Sequence, residues 1–213
     1  MLYRSSIYLL GMLINFFGVA LLINATLGAG FWTAFFIGVS DHLGFTTGFW
    51  YGVFQFLIVF VNALLMKQAP EIRAAIPIFM ESLILDFWLE FVFAPVNLAN
   101  YPFLLQFALL LVAVMIIGLG VAIYILPQFA RAPVDQLFLA VSHRYNLSLQ
   151  VSQTAVAVVM ASLAFIIGGP VGLGTIVPML LLGPWIQWFY TRVYTMYYRF
   201  RPSGDMSLEE ELQ

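Results

Sequence analysis

Cysteine is absent from the 213 residues, so the chain can form no disulfide framework, no thiolate metal site and no cysteine nucleophile. Charge is nearly as scarce: charged residues make up 8% of the chain, and the formal net charge is −2. That offers no basic surface to a phosphate backbone, and nucleic-acid binding is not expected. Histidine occurs only as His42 and His143, from which no metal cluster can be built, and no cofactor is expected. There is no Gly-rich nucleotide loop ending in Lys-Ser/Thr, no His-Glu-x-x-His and no Gly-x-Ser-x-Gly, so the chain does not read as an enzyme. What it has in excess is apolar sequence, at 63% of residues, beyond any water-soluble domain of ordinary composition. The fold class is an all-α polytopic membrane protein.

The rare charges divide the chain into spans, since one crossing of the hydrocarbon core takes about 20 apolar residues. No charge falls between Arg4 and Asp41, and a first helix is expected over 7–25, followed by a second over 49–66. Lys67, Glu71 and Arg73, interrupted by Pro70, make a short polar turn before a third span over 74–95. A fourth, over 102–126, is closed by Pro127. The 47 uncharged residues from Tyr145 to Thr191 break at Gly168-Gly169-Pro170-Val171-Gly172-Leu173-Gly174, which fits two helices and a tight turn. A signal peptide is the other reading of Arg4 and the first apolar run. That run lacks a small-residue cleavage pattern and leads into more membrane sequence.

Six crossings place Arg4, Lys67, Arg73, Arg131, Arg144 and the Arg192, Arg199 and Arg201 end on one face. The opposite loops, around Asp41, 97–101 and 168–174, contain no lysine or arginine. Positive residues are retained in cytoplasmic loops. The expected location is therefore the inner (cytoplasmic) membrane, with both termini cytoplasmic.

At an offset of 102 the two halves align without gaps, Gly18-Val19-Ala20 on Gly120-Val121-Ala122, Ile23 on Ile125, Phe36 on Phe138 and Val39-Ser40 on Val141-Ser142. Seven of 25 positions are identical, and the order of loop and helix is shared. Each copy holds three crossings, an odd number, so the copies are expected to be inverted relative to one another, as in many transporters. The expected units are 1–101, 102–200 and a polar tail over 201–213. Segments 30–43 and 132–145 each read as a helix of about 14 residues, too short to span. Two such re-entrant helices meeting near the midplane would form a substrate site, whereas two surface-lying amphipathic helices would not.

Ionisable groups inside the spans are the costliest and so the best candidates for mechanism. Glu81 and Asp86 lie within the third span, with Glu90 near its end. A carboxyl in low dielectric holds its proton more readily, and an exchangeable proton is what coupled transport needs. The alternative is a structural carboxyl bonded to Asn15, Asn62, Gln106 or Gln153. Arg131 and Asp135 stand four apart on the second short helix, as a local ion pair or a substrate clamp. The expected substrate or proton site comprises Glu81, Asp86, Arg131, Asp135 and Gln153. Gly44, Gly48 and Gly52 form a small-residue stripe suited to close helix contact, within the chain or in a homodimer.

Ala130-Arg131-Ala132-Pro133-Val134-Asp135, Ala140-Val141-Ser142-His143-Arg144, Gly168 to Thr175 and Gly183-Pro184 resemble the second half of the YczE/YyaS-like integral membrane proteins. Leu27-Gly28-Ala29-Gly30-Phe31-Trp32 with Gly38-Val39-Ser40 resembles their first half, and the family is also similar to the YitT-type proteins. The resemblance implies a bacterial cytoplasmic-membrane protein with a role in export, and it supplies no substrate. Where such proteins commonly carry an acidic residue after the first-half tryptophan, this chain has Thr33. The leading expectation is a transporter moving a small organic or amphipathic solute, in contact with membrane lipid and coupled to protons. Its rival is a non-transporting assembly or regulatory factor that holds a partner protein on its aromatic-rich surface.

Overall fold

A computed structural model describes residues 2–96, 98–129 and 132–200. Among them are eight α-helices and no strand: α1 (Leu2–Asn24), α2 (Phe31–Leu43), α3 (Thr47–Met66), α4 (Ala75–Asp86), α5 (Phe103–Tyr124), α6 (Pro133–Tyr145), α7 (Leu149–Ile166) and α8 (Leu173–Phe200). A helix satisfies every backbone donor and acceptor within its own segment, which is what a chain with so few polar side chains requires in lipid. Five helices, α1, α3, α5, α7 and α8, are long and apolar enough to cross a membrane. Their outer faces stay apolar, as Leu64, Leu104 and Phe165 illustrate at 81%, 78% and 75% exposed.

The third expected span departs from the reading of one continuous helix over 74–95. The 12 residues of α4 pass at Phe87 into a six-residue π-helical stretch, Phe87–Val92. Trp88 of that stretch packs edge-on against Phe17 at 5.0 Å and donates its indole N–H to the Leu13 carbonyl at 3.1 Å. The polar tail expected over 201–213 and the expected site residue Arg131 lie outside the described residues.

Local structure recurs at the offset of 102. Helices α2 and α6 begin and end at that offset, as do the starts of α3 and α7. Thr46 and Ser148 cap those two starts, accepting from the N–H of Phe49 and Val151. Ser40 donates to the Phe45 carbonyl, as Ser142 does to that of Leu147. Thr26 and Gln128 both adopt left-handed backbone, at φ 59° and 54°.

Helices α1 and α5 pack antiparallel along most of their length. A Cβ on Gly11 would meet Tyr124, one on Gly18 would meet Ile117, and one on Gly120 would meet Asn15. Each helix thus offers glycines where the other's backbone comes close. The two short helices cross between halves: α2 packs mainly on α7 and α3, and α6 mainly on α3 and α7. Direct meeting of the two short helices is therefore not their main packing. At one end of the bundle the turn after α7 is stitched to the turn before α2. Ala29 N–H donates to Pro170 O at 2.8 Å, Gly174 N–H to Leu27 O at 2.9 Å, and Thr175 Oγ1 to Ala29 O at 2.6 Å. Gly28, at φ 105°, lies directly against the Gly172 backbone, so neither position has room for a side chain.

Candidate functional site

Helix α3 is apolar except on one face, where Tyr51, Gln55 and Asn62 recur at spacings of four and seven. That face turns inward against α4, and Gln55 is fully buried while Asn62 is 4% exposed. Opposite Tyr51 stands Glu81 of α4, itself only 6% exposed. The Tyr51 hydroxyl donates to Glu81 Oε2 at 2.7 Å, and Gln55 Nε2 donates to the same hydroxyl at 2.7 Å. The result is a linear chain of three polar side chains within the helix bundle. Its far end is incomplete, because Gln55 Oε1 is buried with no hydrogen-bond partner. Buried polar groups are nearly always paired, so an orphaned acceptor marks a place where a donor belongs.

Aromatic rings enclose this chain. Phe16 and Phe36 meet Tyr51 edge-on, each at 5.6 Å, and Phe36, which is fully buried, also stacks on Phe54 at 5.7 Å and Trp32 at 6.1 Å. The Trp32 indole nitrogen is a second buried group without a partner. Tyr8 and Tyr124, edge-on to one another at 6.2 Å, and Asp135 of α6 lie near enough to couple electrostatically with Glu81 or with each other.

The expected site residues have separate fates. Glu81 is at the centre, and its partner is Tyr51 rather than any of the amides expected for a structural carboxyl. Asp86 faces the start of α3, where it accepts from Thr46 Oγ1 at 2.5 Å and from Gly48 N–H at 2.7 Å. Asp135 is exposed in the first turn of α6, and Gln153 is exposed on α7. Gln106 instead donates to the Leu98 and Ala99 carbonyls. Gly48 and Gly52 admit Ser82 of α4, so these two members of the small-residue stripe pack within the chain, whereas nothing lies within 4 Å of the place a Cβ on Gly44 would take. Sequence reasoning did not single out Tyr51 or Gln55. The legible signal was their recurrence with Asn62 on one face of an otherwise apolar span.

A cavity of about 280 Å³ opens at the Lys67 end, lined among others by Asn62, Met66, Glu71, Pro133 and Gln136. Asn62 Nδ2 donates to the Pro133 carbonyl at 2.8 Å, while its Oδ1 is buried and unpartnered. Among the described residues no group of three or more His, Cys, Asp or Glu is placed to hold a metal ion.

Residues 2–191 match the model of a family described as a family of unknown function, DUF6198. YyaS of Bacillus subtilis is 31% identical over 176 residues, covering 83% of this chain and 87% of its own. YczE of Bacillus subtilis, named a membrane protein, is 30% identical over 182 residues, covering 84% and 82%. A Haemophilus influenzae protein is 26% identical over 187 residues, covering 86% and 82%. No solved structure matches. A family match across nearly the whole chain, together with several helices apolar enough to cross a bilayer, makes this a membrane protein that belongs to the DUF6198 family.

Proposed function

We propose that the chain is a transporter of a small organic solute across the bacterial cytoplasmic membrane, coupled to protons through Glu81. The observation that carries this reading is the buried chain Glu81, Tyr51 and Gln55, which ends on an acceptor with no partner. An ionisable group enclosed by membrane helices is costly unless it works, and a carboxyl that alternates between neutral and charged forms is the simplest proton carrier. The tyrosine hydroxyl beside it offers a relay, and Gln55 Oε1 offers a point at which a donor-bearing solute could replace a missing bond.

The reading includes six crossings arranged as two inverted repeats, 2–92 and 103–200. The antiparallel α1 and α5, the recurrence of caps and turns at an offset of 102, and the exchange of α2 and α6 between halves support it. In this reading α4 and its π-helical extension, 18 residues together over 75–92, form the third crossing. Tyr3 bonds the Tyr197 carbonyl and Arg4 the Pro127 carbonyl, which supports the start of α1 and the end of α8 lying on one, cytoplasmic, side.

The test is solute flux into liposomes with and without a pH gradient. Glu81→Gln keeps shape and hydrogen bonding but fixes the charge. It is expected to abolish the gradient-dependent part of the flux while the protein still folds. Full gradient-dependent flux in this variant removes Glu81 as the carrier.

The second reading, a membrane factor that holds a partner protein, rests on α8. At about 1.5 Å per residue its 28 residues reach about 42 Å, more than a hydrocarbon core of about 30 Å. Its last turns carry the ring ladder Tyr190, Tyr194 and Tyr198, spaced 5.7 and 4.5 Å. Loss of cellular function on replacing Tyr194 and Tyr198 by alanine, with liposome flux intact, favours it.

A further inference from the structure

We propose that the cavity at the Lys67 end is a binding site for a small organic ammonium ion. It would be the vestibule from which such a solute reaches Glu81, a role that rests on the transport reading above. At about 280 Å³ the cavity lies just below the usual small-molecule range of about 300–1,000 Å³, so it suits a ligand of few heavy atoms. Its chemistry calls for a donor. Asn62 is nearly fully buried, its amide nitrogen is committed to Pro133, and its oxygen has no partner. The Gln136 amide donates to the Met66 sulfur at 4.0 Å, a weak contact that a ligand can displace. Glu71 adds a carboxylate, and no lysine, arginine or histidine is among the lining residues described. Among the described lining residues, acceptors and a negative charge with no cation favour N–H donors that carry positive charge, and disfavour anions.

The cavity is also placed to serve the inner chain. On α3 the inward face reads Gln55, Val59, Asn62, and on α4 it reads Glu81 and Ile78, with Ala74 immediately before that helix. Val59, Ala74 and Ile78 pack together as a small apolar cluster, and Val59 and Ala74 also line the cavity. Along these two faces the cluster stands between Asn62 at the cavity and the level of Gln55 and Glu81. The opposite end differs. The residue 102 positions before Gln136 is Ala34, and there a Cβ on Gly169 would strike the Ala34 carbonyl, so the two backbones are in direct contact. At equivalent places in the two halves the backbone is in close contact at one end and leaves a cavity at the other, which suits a vestibule.

The absence of cysteine makes the test clean. Ala63→Cys places a thiol on the cavity lining of the purified full chain, and Ala69→Cys does so from the exposed turn should the first variant fold poorly. The rate of alkylation by N-ethylmaleimide is measured with n-butylammonium chloride or sodium butyrate at equal ionic strength. Butylammonium is expected to slow the reaction saturably and butyrate to leave it unchanged. Glu71→Gln, a substitution on an exposed turn, is expected to raise the protecting concentration about tenfold by removing a charge-assisted bond. Equal effects of the two ions, or none, overturn the proposal. Glu81→Gln is expected to leave protection unchanged. Loss of gradient-driven flux in Glu81→Gln without protection by butylammonium overturns the vestibule and leaves the transport reading standing. Protection with full flux in Glu81→Gln upholds the site and overturns the proton route.

Discussion

Two carboxylates five residues apart on α4 meet opposite surroundings, and the difference predicts how each tolerates substitution. Asp86 is half-buried and holds the first turn of α3 by two bonds, one of them to a backbone N–H that the helix itself leaves unpaired. Asp86→Ala is expected to lower stability by about 1.5–3 kcal/mol, the usual loss for a hydrogen bond to a charged group. The midpoint of unfolding in detergent measures it, and gradient-driven flux per folded molecule should stay unchanged. Tyr51→Phe acts differently. It removes the hydroxyl shared by Gln55 and Glu81 and leaves both facing an apolar ring edge. Loss of gradient-driven flux with the fold retained is expected. Full flux in this variant would show that the hydroxyl is no relay.

At the scale of the helices, the short segments were legible because their limits are set locally. The sequence reading of 30–43 and 132–145 meets α2 and α6, Phe31–Leu43 and Pro133–Tyr145, to within one residue. Gly44 ends the first at φ 75°, open to a residue with no Cβ, and Asn146 ends the second in left-handed backbone, which asparagine adopts at low cost. The change of helical geometry at Phe87 was not legible, because Phe, Trp and Leu suit an α-helix equally well. It shows only once Trp88 is placed on Leu13, 75 residues away. The Glu81 and Tyr51 pairing failed for the same reason, since 30 residues separate partners that meet only when α3 packs on α4. Glycines can be sorted by this contact geometry. Gly120→Val pushes a side chain into the Asn15 backbone where α1 and α5 cross, an overpacking expected to cost about 1–3 kcal/mol. Gly183 in α8 has nothing within 4 Å of the place a methyl group would take, so Gly183→Ala is expected to be neutral or to add about 0.5–1 kcal/mol. Thermal unfolding of both variants in one detergent makes the comparison.

For the molecule as a whole, sidedness is the property on which the inverted-repeat reading turns. Bonds from Tyr3 to Tyr197 and from Arg4 to Pro127 gather the start of α1 and the ends of α5 and α8 at one end. The bond from Asn62 to Pro133 brings the end of α3 beside the start of α6. The stitched turns 27–29 and 170–175 belong at the other end if α1 and α7 each cross once. Lysine and arginine fall in the first group of turns and are absent from the second, and such bias orients membrane proteins with the positive end inside. Single cysteines in this cysteine-free chain should then divide into two sets when intact cells are treated with an impermeant maleimide. Asp41→Cys and Val171→Cys, both at exposed positions, should react, whereas Gln68→Cys and Gln128→Cys should react only after the membrane is opened. Val171 is the better probe of its turn than Gly172, where any side chain would strike the Leu27 carbonyl. Gln128 is decisive, because it is the offset counterpart of Thr26 and shares its left-handed backbone. Two copies of one turn on opposite sides of the bilayer require inversion. Labelling of Gln128→Cys from outside, alongside Val171→Cys, would place both copies on one side and leave the antiparallel α1 and α5 without a transport rationale.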